Sequence, residues 1–600
     1  MKKKIVLSLI SLSILLISCD DLLNVIPGSD LTDSGFWKSE TDLKTACNRM
    51  YQQLSSGSHD TRGDDQFGRS GTNNVSNSQR TLQDADENDW KDPYDRIFIA
   101  NNIIEKAAGA DVAESVRNRY IGEAMFFRAW YHFDLVKKYG DVPLVTKVFE
   151  GGDDPELKMP RTSREEVIQQ CYSDLDFAAA HLPTRAEWTT TDEFDRRRAT
   201  RSSALGLIVR IALYEGTFQK YHTGKAYNTH GGDSKAHLKK AIDAFELLKK
   251  EGHELFTTGG TERAYQDMFG EEDQTKNKEI IFAKAYGPNG TTGTGSSNTS
   301  YTNDSEGNYA ISRKMIDLYL YADGLPIEKT ALRVEEESSH NNIVGLESDC
   351  ATPLAGGKGA RDPRLKLSIW LYNDPQNNDD IYGWGLVGKG DYRPLNTMQA
   401  LGYHLRKRFF RKCYGPSADY TDVQLIRYGE MLISYAEALY EYNGSITDAQ
   451  LDETVNALRA RVGFDKKLTN TFVTTNQLDM LTEIRRERTV ELMAENLRYN
   501  DLIRWKTAET ELPKAILGAH YSPTEVPDFG AEYAARLTSV DGKSQGETVM
   551  TGIAIQKDIY VFELPSRRTF HPERDYLYPI PPYEIVHSDG NVIQNPEWDK

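Results

Sequence analysis

Between Arg119 and Tyr139 the chain carries Ala124, Phe127, Ala129, Trp130, Tyr131, Phe133 and Leu135, a spacing that leaves almost no polar face on a 3.6-residue helix. A helix so apolar is buried, so other elements have to surround it. Gly140 supplies its stop and Pro143 prevents it from resuming. The same pattern predicts further helices over 42–54, from Trp90 and Tyr94 through Ile104, 163–182, 202–220, 237–250, 426–443, 448–462 and 482–505. Glu279 to Ala283 reads as a short strand. Three stretches break the helical texture: the polar, glycine-rich 55–89, the Gly/Ser/Thr/Asn-rich 287–307, and 355–403 with its crowd of Trp and Tyr. Loops this long are uncommon unless they carry function or are disordered. The expected fold is mainly α, with helix pairs joined by short turns and long loops gathered between them.

Six hundred residues are enough for one large domain or several ordinary ones. A net charge of −18 argues against nucleic acid or an anionic membrane surface as partner, since both reward clustered Lys and Arg. The one dense basic cluster, Arg406, Lys407, Arg408, Arg411 and Lys412, reads as a solvated strand or helix end balancing nearby acids. A contact for an anionic glycan is its functional alternative. In the predicted helix 482–505, the charges Arg488, Glu491, Glu495, Arg498 and Asp501 fall at spacings suited to pairing along the helix and fixing it against neighbours.

Lys2, Lys3 and Lys4 precede an apolar run from Ile5 to Ile17 that ends at Ser18-Cys19-Asp20-Asp21. The run is shorter than the ~20 residues a spanning helix needs, and fits a secretory signal. A small residue before the cysteine marks a lipoprotein cleavage site, with Cys19 taking the lipid. Each buried acyl methylene contributes roughly 0.8 kcal/mol, so a multiply acylated cysteine holds a soluble body firmly on a membrane. No later apolar stretch approaches spanning length. Cys47, Cys171, Cys350 and Cys413 have no metal-ligand spacing and are either two disulfides or buried free thiols. The 32 Tyr outnumber the 21 Phe and 8 Trp, which suits contact with sugars or peptides in water as well as half-buried packing.

Taken in order, these features resemble the SusD/RagB-like nutrient-binding outer-membrane lipoproteins. The resemblance runs through Phe36-Trp37, Trp90…Tyr94…Ala100-Asn101, Gly122-Glu123-Ala124…Arg128-Ala129-Trp130-Tyr131 and Gly140-Asp141-Val142-Pro143. It continues through Arg161-Thr162-Ser163-Arg164, Asp323-Gly324-Leu325-Pro326, Arg361-Asp362-Pro363-Arg364, Arg427-Tyr428-Gly429-Glu430 and Ala436-Glu437-Ala438. Glu487-Arg488…Glu491, Arg498-Tyr499…Asp501-Leu502-Ile503-Arg504-Trp505, Tyr578-Pro579-Ile580-Pro581 and Gln594-Asn595-Pro596 complete it. The resemblance implies a mainly α fold in which tetratricopeptide-like helix pairs scaffold a loop-rich, variable half with a few short strands. It divides the chain into a signal (1–18), an N-terminal helical region (19–270) and a C-terminal region with aromatic-bearing loops (271–600), the last two forming one compact unit. It also implies display on the outer membrane and a SusC-like TonB-dependent transporter as partner. The lipoprotein acts there as a hinged lid that captures oligosaccharide or polysaccharide and hands it inward, without cofactor, metal or catalysis.

Most of the motif charges, Arg427, Glu430, Glu437, Arg488, Glu491 and Arg498 among them, read as buried ion pairs, because unpaired they would cost kilocalories. Sugar binding instead needs aromatic faces and a few polar groups. The resemblance places the ligand site around the loop before the Trp90 helix and loops of the irregular half. That points to Asp64, Asp65, Arg69 and Trp90, and to Tyr286, Tyr301, Trp370, Tyr372, Tyr382 and Trp384. Trp90 also reads as a packing anchor. Asp64-Asp65 and Asp379-Asp380 are poor evidence for a glycosidase, because its two carboxyls must flank one bond about 5–10 Å apart. Gly383 to Gly388 spells GxGxxG without the flanking strand and helix that would aim amides at phosphate. A peptide-binding lipoprotein of the same architecture is the main alternative.

Overall fold

The computed structural model describes residues 36–54, 59–68, 72–188, 197–270, 277–286, 309–333, 355–357, 359–369, 403, 405–408, 410, 420–520 and 559–599. Ser39 opens α1 (Glu40–Gln52) with a capping box to Asp42. Asp86 caps α2 (Glu87–Ala108) and Ser163 caps α4 (Arg164–His181). Between them α3 (Glu114–Tyr139) buries Tyr120, Phe126, Phe127, Tyr131, Phe133 and Leu135, as its all-round apolar pattern predicts. It stops where predicted. Gly140 takes φ +74°, and a Cβ there would lie 2.9 Å from Leu577 Cδ1, so both the turn and the packing require glycine. Thr200 caps α5 (Arg201–His222) and Asp233 caps α6 (Ser234–Leu248).

Successive helices pack as antiparallel neighbours: α2 on α3, α3 on α4, and α5 on α6. From the second half, α9 (Tyr428–Asn443) packs on both α5 and α6, so one core runs from Leu43 to Val592. Smaller helices include α7 (Arg313–Leu318), α8 (Arg364–Ser368), α10 (Asp448–Glu453), α11 (Val455–Arg461), α12 (Met480–Glu491), α13 (Arg498–Arg504) and α14 (Pro582–His587). Three antiparallel strand pairs complete the described fold: β1 (Gln66–Gly68) with β3 (Tyr309–Ile311), β2 (Ile280–Lys284) with β4 (Val423–Arg427), and β5 (Ile516–His520) with β6 (Ile559–Glu563). The molecule is mainly helical, as its sequence predicts.

Four expectations need correction. Ile426 and Arg427 lie in β4 rather than at the start of a helix, because Arg427 pairs with Ile280 across the β2–β4 ladder. The helix expected over 448–462 breaks at Thr454 (φ −116°, ψ −91°). The helix expected over 482–505 is two helices, with Ala494 and Asn496 at φ +58° and +62° between them. That kink lets Glu491 and Glu495 reach cations on other elements, so the charges pair chiefly across the fold. Finally, Arg406, Lys407 and Arg408 are buried, not solvated. Lys407 donates to Glu495 (2.7 Å) and to the carbonyls of Glu491 and Met493.

Cys47 and Cys171 are buried free thiols whose Sγ atoms approach the carbonyls of Tyr120 and Ala129. Burial pushes both thiols well up, which leaves them protonated and inert. Cys350 and Cys413 lie outside the described residues, as do the segment through Cys19, Asp379-Asp380, the glycine-rich 383–388, Arg411 and Lys412. Among the described residues no helix is long and apolar enough to cross a membrane, and no group of three or more His, Cys, Asp or Glu is placed to hold a metal ion.

Candidate functional site

The motif charges form buried hubs that fix the second half. Glu491 accepts from Arg427 (2.8 Å), Arg364 (3.1 Å) and Arg461. Glu279 shares Arg427 and Arg461, and Glu495 pairs with Arg427 and Lys407. Burial alone would raise the Glu495 carboxyl, but Arg427 and Lys407 overcome it and hold it at about 2. A second hub joins Glu437 to Arg504, with Arg488 and Asp501 beside it. In the first half Arg128 clasps Asp174 and Asn101, Arg164 clasps Glu215, and Arg198 clasps Glu123. Glu430 pairs with Arg210. These groups are spoken for by the scaffold.

The segment 59–68 lies against three elements of the second half. Its strand β1 pairs with β3. The Ser312 amide and Oγ donate to the carbonyls of Asp65 (2.8 Å) and Asp64 (2.7 Å). The Asp64 carboxylate accepts from Arg498 on α13 at 2.7 and 3.0 Å, and from Lys314 on α7, which also meets Glu511. Burial would raise Asp64, yet Arg498 and Lys314 hold it well below the usual carboxylate range. Asp65 beside it is 4 % exposed, and burial together with the Asp64 charge pushes it up to about 7. His59 stacks on Tyr309 at 4.1 Å and bonds to Gln66, and burial drives it down to about 4, so it is neutral.

Trp90 stands behind this segment. Its ring is 4 % exposed, edge-on to Tyr139 at 4.9 Å and tilted against Tyr94 at 5.4 Å. Tyr139 meets Tyr578, whose hydroxyl accepts from Arg62, itself paired with Asp60. Trp90 is thus the far end of a packed relay that supports segment 59–68. Tyr286 belongs to a different place, the end of the β2–β4 pair, where its amide donates to Asp422 (2.8 Å) and its carbonyl accepts from Arg197. The structure therefore brings Asp64 and Asp65 together, links Trp90 to them through intermediaries, and holds all four predicted side chains buried. Arg69, Tyr301, Trp370, Tyr372, Tyr382 and Trp384 lie outside the described residues.

The described anchors of those outside stretches converge. Gly68 pairs with Tyr309, Ile311 bridges Tyr403, and Ile369 bridges Leu405. One ribbon of backbone pairing thus gathers the points where the chain leaves toward Arg69, returns after Tyr301, leaves toward Trp370 and returns after Trp384. The stretch bearing Trp370, Tyr372, Tyr382 and Trp384 starts and finishes at this edge, and the one bearing Tyr301 starts at the β2–β4 pair and finishes here, next to His59, Tyr309 and the Asp64–Asp65 pair. Lys314 and Glu511 beside that pair are missed by sequence reasoning. Lys314 meets its partner 250 residues away, and nothing local to either signals the pairing.

The family model described as the SusD family matches residues 278–598, and one described as starch-binding associating with outer membrane matches residues 23–213. SusD-like protein P38 of Formosa agariphila is 26% identical over 526 residues, covering 84% of this chain and 91% of that protein. A SusD-like protein of Bacteroides fragilis superposes with a TM-score of 0.68 at 23% identity, over 94% of this chain and 98% of its own. A second B. fragilis structure, a SusD-like carbohydrate-binding protein, gives 0.65 at 22% identity, over 92% and 99%. With the SusD model spanning more than half of the chain, this protein belongs to the SusD family.

Proposed function

We propose that this protein is a surface glycan-binding lipoprotein, anchored to the outer membrane through lipid on Cys19, that captures oligosaccharide or polysaccharide and delivers it to a SusC-like TonB-dependent transporter. One observation carries the reading. The pairings Gly68–Tyr309, Ile311–Tyr403 and Ile369–Leu405 tie both ends of the stretch bearing Trp370, Tyr372, Tyr382 and Trp384, and one end each of those bearing Arg69 and Tyr301, to a single edge of the scaffold. Aromatic faces with a few polar groups are the residue set that grips sugar rings in water. Family membership and the carbohydrate-binding relative support the choice of glycan as ligand. Asp64 and Asp65 serve in this reading as the floor that seats those stretches, while Trp90 and Tyr286 are packed into the supporting scaffold.

The test is affinity electrophoresis of the protein lacking residues up to Cys19 in gels containing a panel of polysaccharides, with reducing ends assayed in the same samples. Retardation by one glycan without new reducing ends is expected. New reducing ends would make the protein an enzyme, and absence of both signals would bring peptide ligands forward.

A further inference from the structure

Asp65 is a buried carboxyl that has no cation of its own among the described residues. There its Oδ1 accepts no hydrogen bond from another residue, and its Oδ2 has the Gln66 side-chain amide at 3.4 Å. The Oδ1 is tucked against the backbone, since a Cβ on Gly63 would lie 2.7 Å from it and 3.4 Å from Arg498 Cγ. Arg498 and Lys314, the nearest cations, are committed to Asp64. The main-chain carbonyl of Asp65 meanwhile holds Ser312, at the point where β1 meets β3. A buried carboxyl that resists ionisation thus sits where β1 meets β3.

The geometry points to a proton-controlled latch: with Asp65 neutral, segment 59–68 stays seated on β3 and α13, and with Asp65 ionised beside Asp64 it loosens. The charged and titratable groups around it act as follows. On its own segment Asp64 and Asp60 oppose ionisation. From α13, Arg498 favours it without releasing Asp64. Lys314 of α7 faces Asp64 with Glu511 behind it, and Arg568 adds a further positive charge toward Asp64. Arg62 is matched by Asp60, while His59, facing Arg408, is neutral as long as the segment is seated. Burial and Asp64 keep the proton on Asp65 until about pH 7, whereas the opened segment exposes an ordinary carboxyl. Opening therefore releases a proton. This contribution holds opening back at low pH, eases it as pH rises through the interval between the two values and levels off above about 7, while His59, returned to its ordinary 6.5 on opening, takes up a proton and works in the opposite sense between about 4 and 6.5. The latch stands without the glycan reading; that its opening changes ligand capture rests on that reading.

The test is hydrogen–deuterium exchange of the ligand-free protein at pH 5.5 and 7.5, with labelling times scaled for intrinsic exchange. Peptides covering 59–68 and 309–312 are compared with peptides from α3. For the first two the expected result is a roughly twentyfold rise in the opening equilibrium from Asp65 set against an about tenfold fall from His59, a net rise of about twofold, with α3 unchanged. Asp65→Asn and Asp65→Leu, both unable to ionise, leave only the His59 contribution, so opening of the same peptides falls about tenfold from pH 5.5 to 7.5. A profile in both variants that matches the unaltered protein overturns the latch. Glycan retardation measured alongside reports on the proposed function independently.

Discussion

Replacing Arg504 by Met should strip the Glu437 hub of its main cation and expose how much the fold depends on it. Glu437 is wholly buried and accepts from both Arg504 terminal nitrogens at 2.6 and 2.7 Å and from Trp505 Nε1 at 2.5 Å. Burial works against its charge, and Arg504 is the chief group that overcomes it, bringing the carboxyl from 4.5 to about 2. A drop of ~2.5 units corresponds to about 3 kcal/mol, at the lower end of the ~3–5 kcal/mol typical for breaking a buried pair. For the 600-residue chain, an unfolding entropy near 2.1 cal/mol/K per residue gives ~1.3 kcal/mol/K, so the loss reads as a fall in Tm of roughly 2–3 °C. Calorimetry at pH 7 measures it. The lowered carboxyl stabilises the fold above its unfolded value of 4.5 and loses that contribution as pH falls from 4.5 toward about 2. The unaltered protein therefore loses more stability than R504M across that window. Glu437→Gln with R504M should recover part of the loss, because it removes the stranded charge. A Tm unchanged in R504M, or a double variant no better than the single one, would refute the reasoning.

Three further outcomes can be checked. Gly140→Ala places a side chain at φ +74° and 2.9 Å from Leu577 Cδ1, and should cost about 1–3 kcal/mol in denaturant titration, whereas Ala at the open, negative-φ Gly152 should cost less than about 1. Cys19→Ser should move the protein from the membrane fraction to the soluble fraction of lysed cells. Trp370→Ala combined with Trp384→Ala should weaken glycan retardation about tenfold or more while leaving Tm within about 1 °C, since a loss of stacking alone is worth ~1.4 kcal/mol per factor of ten.

Local patterns carried the helices well and their ends unevenly. The apolar surround of α3 and its Gly140 stop are properties of adjacent residues, so the sequence shows them directly. The break between α12 and α13 is different. Arg488, Glu491, Glu495 and Arg498 have good helical spacing, and only the cations at Arg364, Lys407, Arg427 and Arg461, brought in from elsewhere, make it better to bend the chain at Ala494 and Asn496 than to pair the charges along one helix. The same distance effect hides the burial of Arg406 to Arg408. A run of cations reads as solvated unless its carbonyl and carboxylate partners, here some 84 to 88 residues away for Lys407, are known to be waiting.

The candidate site illustrates the limit more sharply. Asp64 and Asp65 are chemically identical neighbours, and residue type alone gives both the same role. The fold separates them: Asp64 meets Arg498 and Lys314, 434 and 250 residues along the chain, and is held ionised, while Asp65 points back at Gly63 and is driven toward neutrality by the charge its neighbour keeps. The cation that fixes one carboxylate makes that carboxylate a permanent negative neighbour for the other. An acidic pair that looks like two ligand contacts is therefore one ion pair plus one proton carrier. Direct contact with sugar falls in this reading to residues whose faces the scaffold does not occupy, and Trp90, closed in by Tyr94 and Tyr139, is not among them.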